Sequence, residues 1–260
     1  MKRIIPFLLA VLMLLCCFGC GAKKEEKTFT VGFDAEFPPF GFVAENGSYD
    51  GFDLAVAQEV CKRLGWTFKA QPIAWDAKDA ELASGNIDCI WNGFTMQGRE
   101  DDYSWTPPYY DNSVVIIVKA DSEIQTLADL AGKKVITQAG SSALTALEED
   151  TALSSSFDEL LESADFNNCF MELDMGTAQA VAADVGVANY NIGDKTSEYR
   201  FLDEAVASET YGIGFLKGND ALAKQVWDTV EKIAADGTMK TLAEKYVSYG
   251  LVIDSLTLCK

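Results

Sequence analysis

The sequence predicts an α/β protein with two similar lobes, each built on a mixed, mostly parallel sheet flanked by helices. Short runs of apolar and β-branched residues alternate with segments whose apolar residues recur at helical spacing, as is typical of α/β folds. The order strand, turn, helix, strand, helix, strand over 28–92 returns in similar form over 134–188. The chain has 260 residues, which suits one large domain or two lobes, and this repeat favours two lobes.

The elements of the first half are defined by their apolar pattern and their breakers. Residues 28–32 alternate apolar and polar as a strand does, and the prolines at 38–39 exclude a helix after them. Residues 52–64 carry one apolar helical face that stops at Gly65. The remaining predictions are a hairpin turn over 45–48, a short helix over 76–84, a loop over 92–99, and strands over 67–73, 87–91 and 114–119.

The second half is interpreted by the same signals. A long amphipathic segment over 220–235 ends at Asp236-Gly237, which predicts a helix with a glycine stop. The other predictions are helices over 127–132, 143–149, 176–183 and 239–246, a turn over 140–142, and strands over 134–137, 185–188 and 211–216.

The N-terminus has the pattern of an export signal. Lys2 and Arg3 precede an apolar run over 4–18, which is shorter than the roughly 20 residues of a membrane-spanning helix, and Gly19-Cys20 follows. We expect a lipoprotein signal peptide over 1–19, lipidation of Cys20, and a charged tether over 20–27. This would place the protein outside the cytoplasmic membrane, anchored by lipid; plain secretion or a retained N-terminal anchor are the alternatives.

Composition excludes several functions. The net charge of −19 argues against nucleic acid or an anionic surface as a partner. The chain has no histidine, which rules out a serine–histidine–acid triad and weighs against a typical catalytic zinc site. We therefore expect no metal and no cofactor.

Four cysteines follow Cys20, and none lies at metal-ligand spacing from another. They are Cys61, Cys89, Cys169 and Cys259. An exported chain can pair four cysteines in three ways. We expect Cys61 and Cys89 to be small buried apolar residues, and Cys169–Cys259 is a weaker candidate for a disulfide.

Several short motifs, in this order, resemble the family 3 solute-binding proteins of amino-acid importers of the ATP-binding cassette type. They are 31–40, 51–55, 85–88, 92–95 followed by Arg99, 109–110, 138–142 and 236–239, and together they cover about 28–250. The resemblance implies a type II periplasmic-binding-protein fold. Lobe 1 would be 28–118 with 207–260, lobe 2 would be 122–203, and the hinge crossings would lie near 118–122 and 203–208. It also implies a monomer that captures an α-amino acid between its lobes and delivers it to a permease, without catalysis.

The chemistry of a free amino acid assigns roles within that resemblance. The ligand carboxylate suits the planar two-donor guanidinium of Arg99. Thr95 after a strand, and Ser141 and Ser142 at a helix start, would complete its shell. The ligand ammonium needs a carboxylate, and Asp184 matches the family position for that role.

The ligand side chain needs walls and a polar contact. Phe37 and Trp75 match the family positions of an aromatic sandwich, and Asp34 matches a position that contacts the polar tip. Gln138 would add a contact from lobe 2, and Gly93 would let the backbone approach the ligand.

Each of these residues also has a purely structural alternative. The alternatives are a surface ion pair for Arg99, a cap or turn role for Asp34, Ser142 and Gly93, core packing for Phe37 and Trp75, and a surface acid for Asp184.

The function also has alternatives: a binder of a polyamine, sugar or metal, or an enzyme or sensor on the same scaffold. The amino acid itself stays open. Asp34 and Glu36 suit a basic or amide side chain, Gln138 suits an amide, and Trp75 suits a large flat or sulfur-containing one such as cystine.

Overall fold

The computed structural model describes residues 27–259. The predicted signal peptide, Cys20 and the tether up to residue 26 lie outside the described residues. The strands are β1 Thr28–Phe33, β2 Glu36–Phe37, β3 Gly41–Val43, β4 Tyr49–Asp50, β5 Thr67–Pro72, β6 Cys89–Thr95, β7 Tyr103–Trp105, β8 Tyr110–Lys119, β9 Lys134–Gln138, β10 Glu159–Ser163, β11 Ala180–Asp184, β12 Tyr199–Phe201 and β13 Ala207–Leu216.

Helices lie between and after these strands. The α-helices are α1 Phe52–Leu64, α2 Lys78–Ser84, α3 Ser142–Glu149, α4 Thr151–Ser154, α5 Phe166–Met175, α6 Val185–Ile192, α7 Asp220–Ala235 and α8 Thr238–Ala243. Short 3₁₀ helices cover Trp75–Ala77, Leu127–Leu130, Glu244–Tyr249, Ile253–Ser255 and Thr257–Cys259.

The main sheet has two parallel ends joined by antiparallel strands. Its order is β10-β9-β11-β8-β13-β6-β1-β5, with β12 beside β8 and β7 beside β13. At one end β5, β1 and β6 run parallel, and at the other β10, β9 and β11 do. The predicted α/β fold class, with a mixed sheet flanked by helices, is confirmed; the parallel pairings are confined to the two ends, and the strands between them pair antiparallel.

The two longest strands, β8 and β13, connect the halves. They pair with each other from Ala207↔Val114 to Tyr211↔Tyr110. Beyond this segment β13 pairs with β6, while β8 pairs with β11. In the folded structure we call the part around β1, β5 and β6 the first half and the part around β9, β10 and β11 the second half. The two halves therefore share one short antiparallel pair of strands.

Helix α1 follows the sequence prediction. Its buried face includes Leu54, Val56 and Val60, and Gly65 ends it in the left-handed region at φ 67°. The largest apolar core cluster contains this face and extends to Phe166 in the second half. The first half is thus packed as the spacing of apolar residues predicts.

Two predicted elements around residue 180 are wrong. The predicted helix over 176–183 is strand β11, and the predicted strand over 185–188 begins helix α6. Gly176 instead ends helix α5, where it adopts φ 76°. All five residues of β11 are buried. In a short segment of small apolar residues that is buried on both faces, the spacing of apolar residues cannot distinguish a strand from a helix.

Other boundaries also differ from the prediction. Strand β6 continues through Thr95, so the predicted loop over 92–99 is shorter. Strand β10 and helix α5 were not predicted.

The described cysteines are all free, so the Cys169–Cys259 disulfide is wrong. Cys61 and Cys89 are buried as expected. Within 27–259, no helix is long and apolar enough to cross a membrane. The same residues contain no group of His, Cys, Asp or Glu side chains that could hold a metal ion.

Candidate ligand-binding cleft

Polar side chains collect where the parallel strands of both halves end. Asp34 follows β1, Thr95 ends β6, Gln138 ends β9 and Asp184 ends β11. All four are buried. The carboxyl ends of parallel strands are the general location of ligand sites in open α/β sheets.

Arg99 stands at one end of a cleft between the halves. Its guanidinium donates to the carbonyl oxygens of Thr95 at 3.3 Å and of Gly140, across the cleft, at 3.4 Å. Trp105 Nε1 donates to the Arg99 carbonyl at 3.0 Å and fixes this loop. Arg99 forms no ion pair within the described residues. Its charge is met by these neutral carbonyl groups and by the Phe94 ring, whose centroid lies 5.4 Å from Arg99 Cζ.

The cleft has a volume of about 330 Å³. Residues that line it include Thr95, Arg99, Ser142, Glu149, Ser208 and Glu209. The cavity is thus lined by the Arg99 guanidinium, by the start of helix α3, and by the carboxylates of Asp102, Glu149 and Glu209.

Ser141 and Ser142 have different positions at the start of α3. Ser141 is the N-cap, and its hydroxyl accepts from the Leu144 N–H at 3.1 Å. Ser142 is the first helical residue and faces the cleft. The helix start favours negative charge, which adds to the field of Arg99.

Asp184 does not line this cavity; it lies in a buried polar cluster beside Glu209, which does. Asn112 Nδ2 donates to Asp184 Oδ1 and, at 2.7 Å, to Glu209 Oε1. The Tyr211 hydroxyl donates to the same Asp184 oxygen at 2.6 Å. Burial, and then the nearby charge of Glu209, raise the pKa of Asp184 well above its usual range. Neither carboxylate has an ion pair within 27–259.

Phe37 and Trp75 form a parallel pair of rings. Their centroids are 6.5 Å apart and their planes differ by 5°. The Phe37 ring also packs against Phe166 of the second half, with centroids 5.9 Å apart. Phe37 is buried and Trp75 is half-buried, so core packing accounts for part of the surface of Phe37.

Asp34 and Gln138 meet across the halves. Gln138 Nε2 donates to Asp34 Oδ2 at 2.6 Å and to the Ala164 carbonyl at 3.0 Å. The Glu36 N–H donates to Asp34 Oδ1 at 2.8 Å, so Asp34 also holds its own turn. Burial raises the pKa of Asp34.

Gly93 lies between the aromatic pair and the acidic cluster. A Cβ atom here would lie 3.0 Å from the Phe37 ring and 3.0 Å from the Tyr211 ring, and φ is +56°. Both facts require glycine. The Gly93 N–H donates to Asp53 Oδ2 at 2.7 Å, so this N–H points into the protein interior.

Sequence reasoning missed several residues of this region. Glu209 and Asn112 carry no local signal, because only the register of β8 with β13 places them opposite each other. Lys78 is buried, and its Nζ donates to the Gly140 carbonyl at 3.2 Å beside Arg99. Burial, followed by the charge of Arg99, lowers its pKa. The position of Lys78, three residues after the candidate Trp75, is the sequence signal that could have indicated a place in this region.

Known proteins are similar to this chain in sequence and in fold. The chain is 31% identical to the L-cystine-binding protein of Escherichia coli (strain K12), over 86% of this chain and 84% of that protein. It is 28% identical to the ABC transporter arginine-binding protein 1 of the same organism, over 92% of this chain and 98% of that protein.

A solved structure matches as well. The substrate-binding protein of an ABC uptake transporter from Streptococcus pneumoniae with bound histidine superposes with a TM-score of 0.82 at 30% identity. The match covers 87% of this chain and 94% of that chain. The family model of the bacterial extracellular solute-binding proteins, family 3, matches residues 29–249. The chain therefore belongs to the family 3 bacterial extracellular solute-binding proteins.

Proposed function

We propose that this protein captures a free α-amino acid in the cleft between its lobes and delivers it to an ABC importer. The observation that carries the proposal is the charge arrangement of the cleft. Arg99 and Glu209 line the same cavity, and Asn112 links Glu209 to Asp184. None of these three charged groups has an ion pair among the described residues. A zwitterion complements these opposite charges.

The carboxylate of the ligand would bind Arg99 as a two-donor pair. Ser142 and the start of α3 would contribute from the second lobe, and Thr95 would flank the pair. A hydrogen bond to a charged group contributes about 1.5–3 kcal/mol in such a setting.

The ammonium would bind Asp184, with Glu209 as a second acceptor. Asn112 and Tyr211 already donate to these carboxylates and hold them in place. The ammonium would add the positive charge that offsets the cost of burying two acids.

The side chain would lie against Phe37 and Trp75, which present parallel rings. Asp34 and Gln138 would contact its polar end. Relatives named for L-cystine and arginine, and a structure with bound histidine, support a polar amino acid, a class that suits this mixture of flat walls and polar ends.

Closure would take place about the paired segment of β8 and β13, with 28–118 and 207–260 as lobe 1 and 122–203 as lobe 2. The predicted crossing near 118–122 lies on the lobe 2 side of this pair, and the one near 203–208 overlaps the pair at residues 207–208. Both stay predictions. Ligand contacts from both lobes would favour the closed form, because only a difference in affinity between two states shifts their populations. No bond would be made or broken. The protein would act as a monomer, held outside the membrane through lipid on Cys20.

A thermal-shift screen tests this function. Full-length exported protein in mild detergent would be melted with each of the twenty amino acids, cystine, spermidine and several sugars. A ligand at about 100 times its dissociation constant adds about 2.7 kcal/mol, or roughly 5–10 °C for a chain of this size. A rise with one or a few amino acids supports the proposal. A rise only with spermidine or a sugar would replace it.

A further inference from the structure

Asp53 is a buried carboxyl outside the cleft that the proposed function does not use. It is fully buried in the first turn of α1. Its Oδ2 accepts hydrogen bonds from the Gly93 N–H at 2.7 Å and the Tyr109 hydroxyl at 2.6 Å, and its Oδ1 has no partner. The helix start favours its negative charge, but no ion pair reaches it within 27–259.

The bond to Gly93 links this acid to both ends of the ligand site. The backbone at Gly93 packs directly against the Phe37 ring of the aromatic pair and against the Tyr211 ring, with no room for a Cβ atom between them. Tyr211 in turn donates to Asp184. A small displacement of Gly93 would therefore move the aromatic wall and the ammonium acceptor together, since closely packed groups transmit such shifts.

We propose that Asp53 is a positioning residue of the amino-acid site, whose ionised carboxylate fixes the Gly93 backbone and so sets ligand affinity. This inference rests on the proposed function. When Asp53 binds a proton, its hydroxyl needs an acceptor. The nearest candidate, Tyr109, already donates to it, and Gly93 is left with a weaker neutral acceptor. Affinity therefore falls when the acid is neutral.

The charge of Asp53 can change near neutral pH. Burial raises its pKa to about 7, although the hydrogen bonds from Tyr109 and Gly93 lower it. The titratable groups around it are Tyr109, Cys89 on β6 and Tyr110 on β8, and none of these carries a positive charge.

Calorimetric titration between pH 5.5 and 8 tests the proposal. The probe is whichever of L-cystine and L-arginine binds the wild-type protein more tightly at pH 8. We expect its dissociation constant to rise about three- to tenfold as the pH falls through 7, the size of one weakened hydrogen bond to a charged group. Asp53→Asn should already show the weaker affinity at pH 8 and lose this step. Burial also raises the pKa of Asp184 and of Asp34, and both residues are unchanged in every variant, so any pH dependence that they contribute is common to all profiles.

Tyr109→Phe provides a second variant that keeps the acid. It removes one donor from the carboxylate, so the midpoint of the affinity step should move to higher pH by about one unit. The matched control is Tyr246→Phe, which removes a similar 2.6 Å tyrosine–aspartate bond, to Asp50, away from the cleft. It should leave the midpoint unchanged.

Two results would overturn the proposal. One is an Asp53→Asn profile that keeps the wild-type step. The other is a uniform loss of affinity at all pH values in Tyr109→Phe, which is what a merely structural role gives. Failure of the wild-type protein to bind any amino acid at pH 8 would be distinct, because it would overturn the proposed function and this inference with it.

Discussion

The same buried acid makes a prediction about stability that needs no ligand. In Asp53→Asn, the isosteric amide cannot ionise. In the wild-type protein the pKa is raised from 3.8 to about 7 by burial. Between about pH 4 and 7 the unfolded chain has released this proton while the folded chain retains it. The free energy of unfolding therefore falls as the pH rises through this window.

The size of the effect follows from the shift. About three pKa units at 1.36 kcal/mol each give a loss of about 4 kcal/mol by pH 7 and above. Between pH 5 and pH 8 the loss is about 3 kcal/mol. The amide variant also changes its bonds to Gly93 and Tyr109, but that difference is constant with pH. Relative to wild type, Asp53→Asn should thus gain about 3 kcal/mol from pH 5 to pH 8.

Urea unfolding of both proteins at pH 5 and pH 8 measures this gain, since the midpoints report the difference when the slopes agree. The exposed Glu204→Gln is the matched control, and its difference from wild type should not vary with pH. If the difference between Asp53→Asn and wild type is the same at both pH values, the carboxyl does not titrate in this window and the reasoning is wrong. Ligand affinity and stability would then both need another explanation.

The remaining predictions concern the cleft. Arg99→Lys should weaken amino-acid binding at least about tenfold in calorimetry, because a point charge replaces the two-donor fork; unchanged affinity would contradict the assigned role. Glu209→Gln keeps an acceptor for Asn112 but loses a charge, so we expect about tenfold weaker binding, with the exposed Glu231→Gln on α7 as the control that stays at wild-type affinity. Trp75→Leu should weaken large, flat amino acids more than alanine, and an equal loss for both would show that Trp75 is only scaffold.

Local sequence predicts an element correctly where the spacing of its apolar residues and the residue that ends it agree. Helix α1 has its predicted bounds because a clear apolar face meets Gly65. Local sequence did not predict strand β11, because a strand that is buried on both faces shows no alternation of apolar and polar residues. Asp184 was nevertheless singled out, because its identity as a candidate came from the family resemblance and not from the element assigned around it. The roles of the predicted site residues stay predictions until binding is measured.

The contacts that sequence could not supply are those set by long-range register. Glu209 lies opposite Asn112 only because β8 and β13 pair over five positions. Asp53 was within a quoted motif, but its partners Gly93 and Tyr109 are 40 and 56 residues away. No spacing rule connects residues so far apart, and the burial that perturbs Asp53 exists only once the sheet has formed.

The position of these groups relative to the connecting strands suggests an order of capture. Glu209 and Asn112 lie on β13 and β8 themselves, so rotation about this pair would leave their contact in place. Arg99–Gly140 and Asp34–Gln138 join opposite halves away from the pair, and rotation would separate them. A ligand would therefore be held first by its ammonium, and the contacts to its carboxylate and side chain would form as the lobes close.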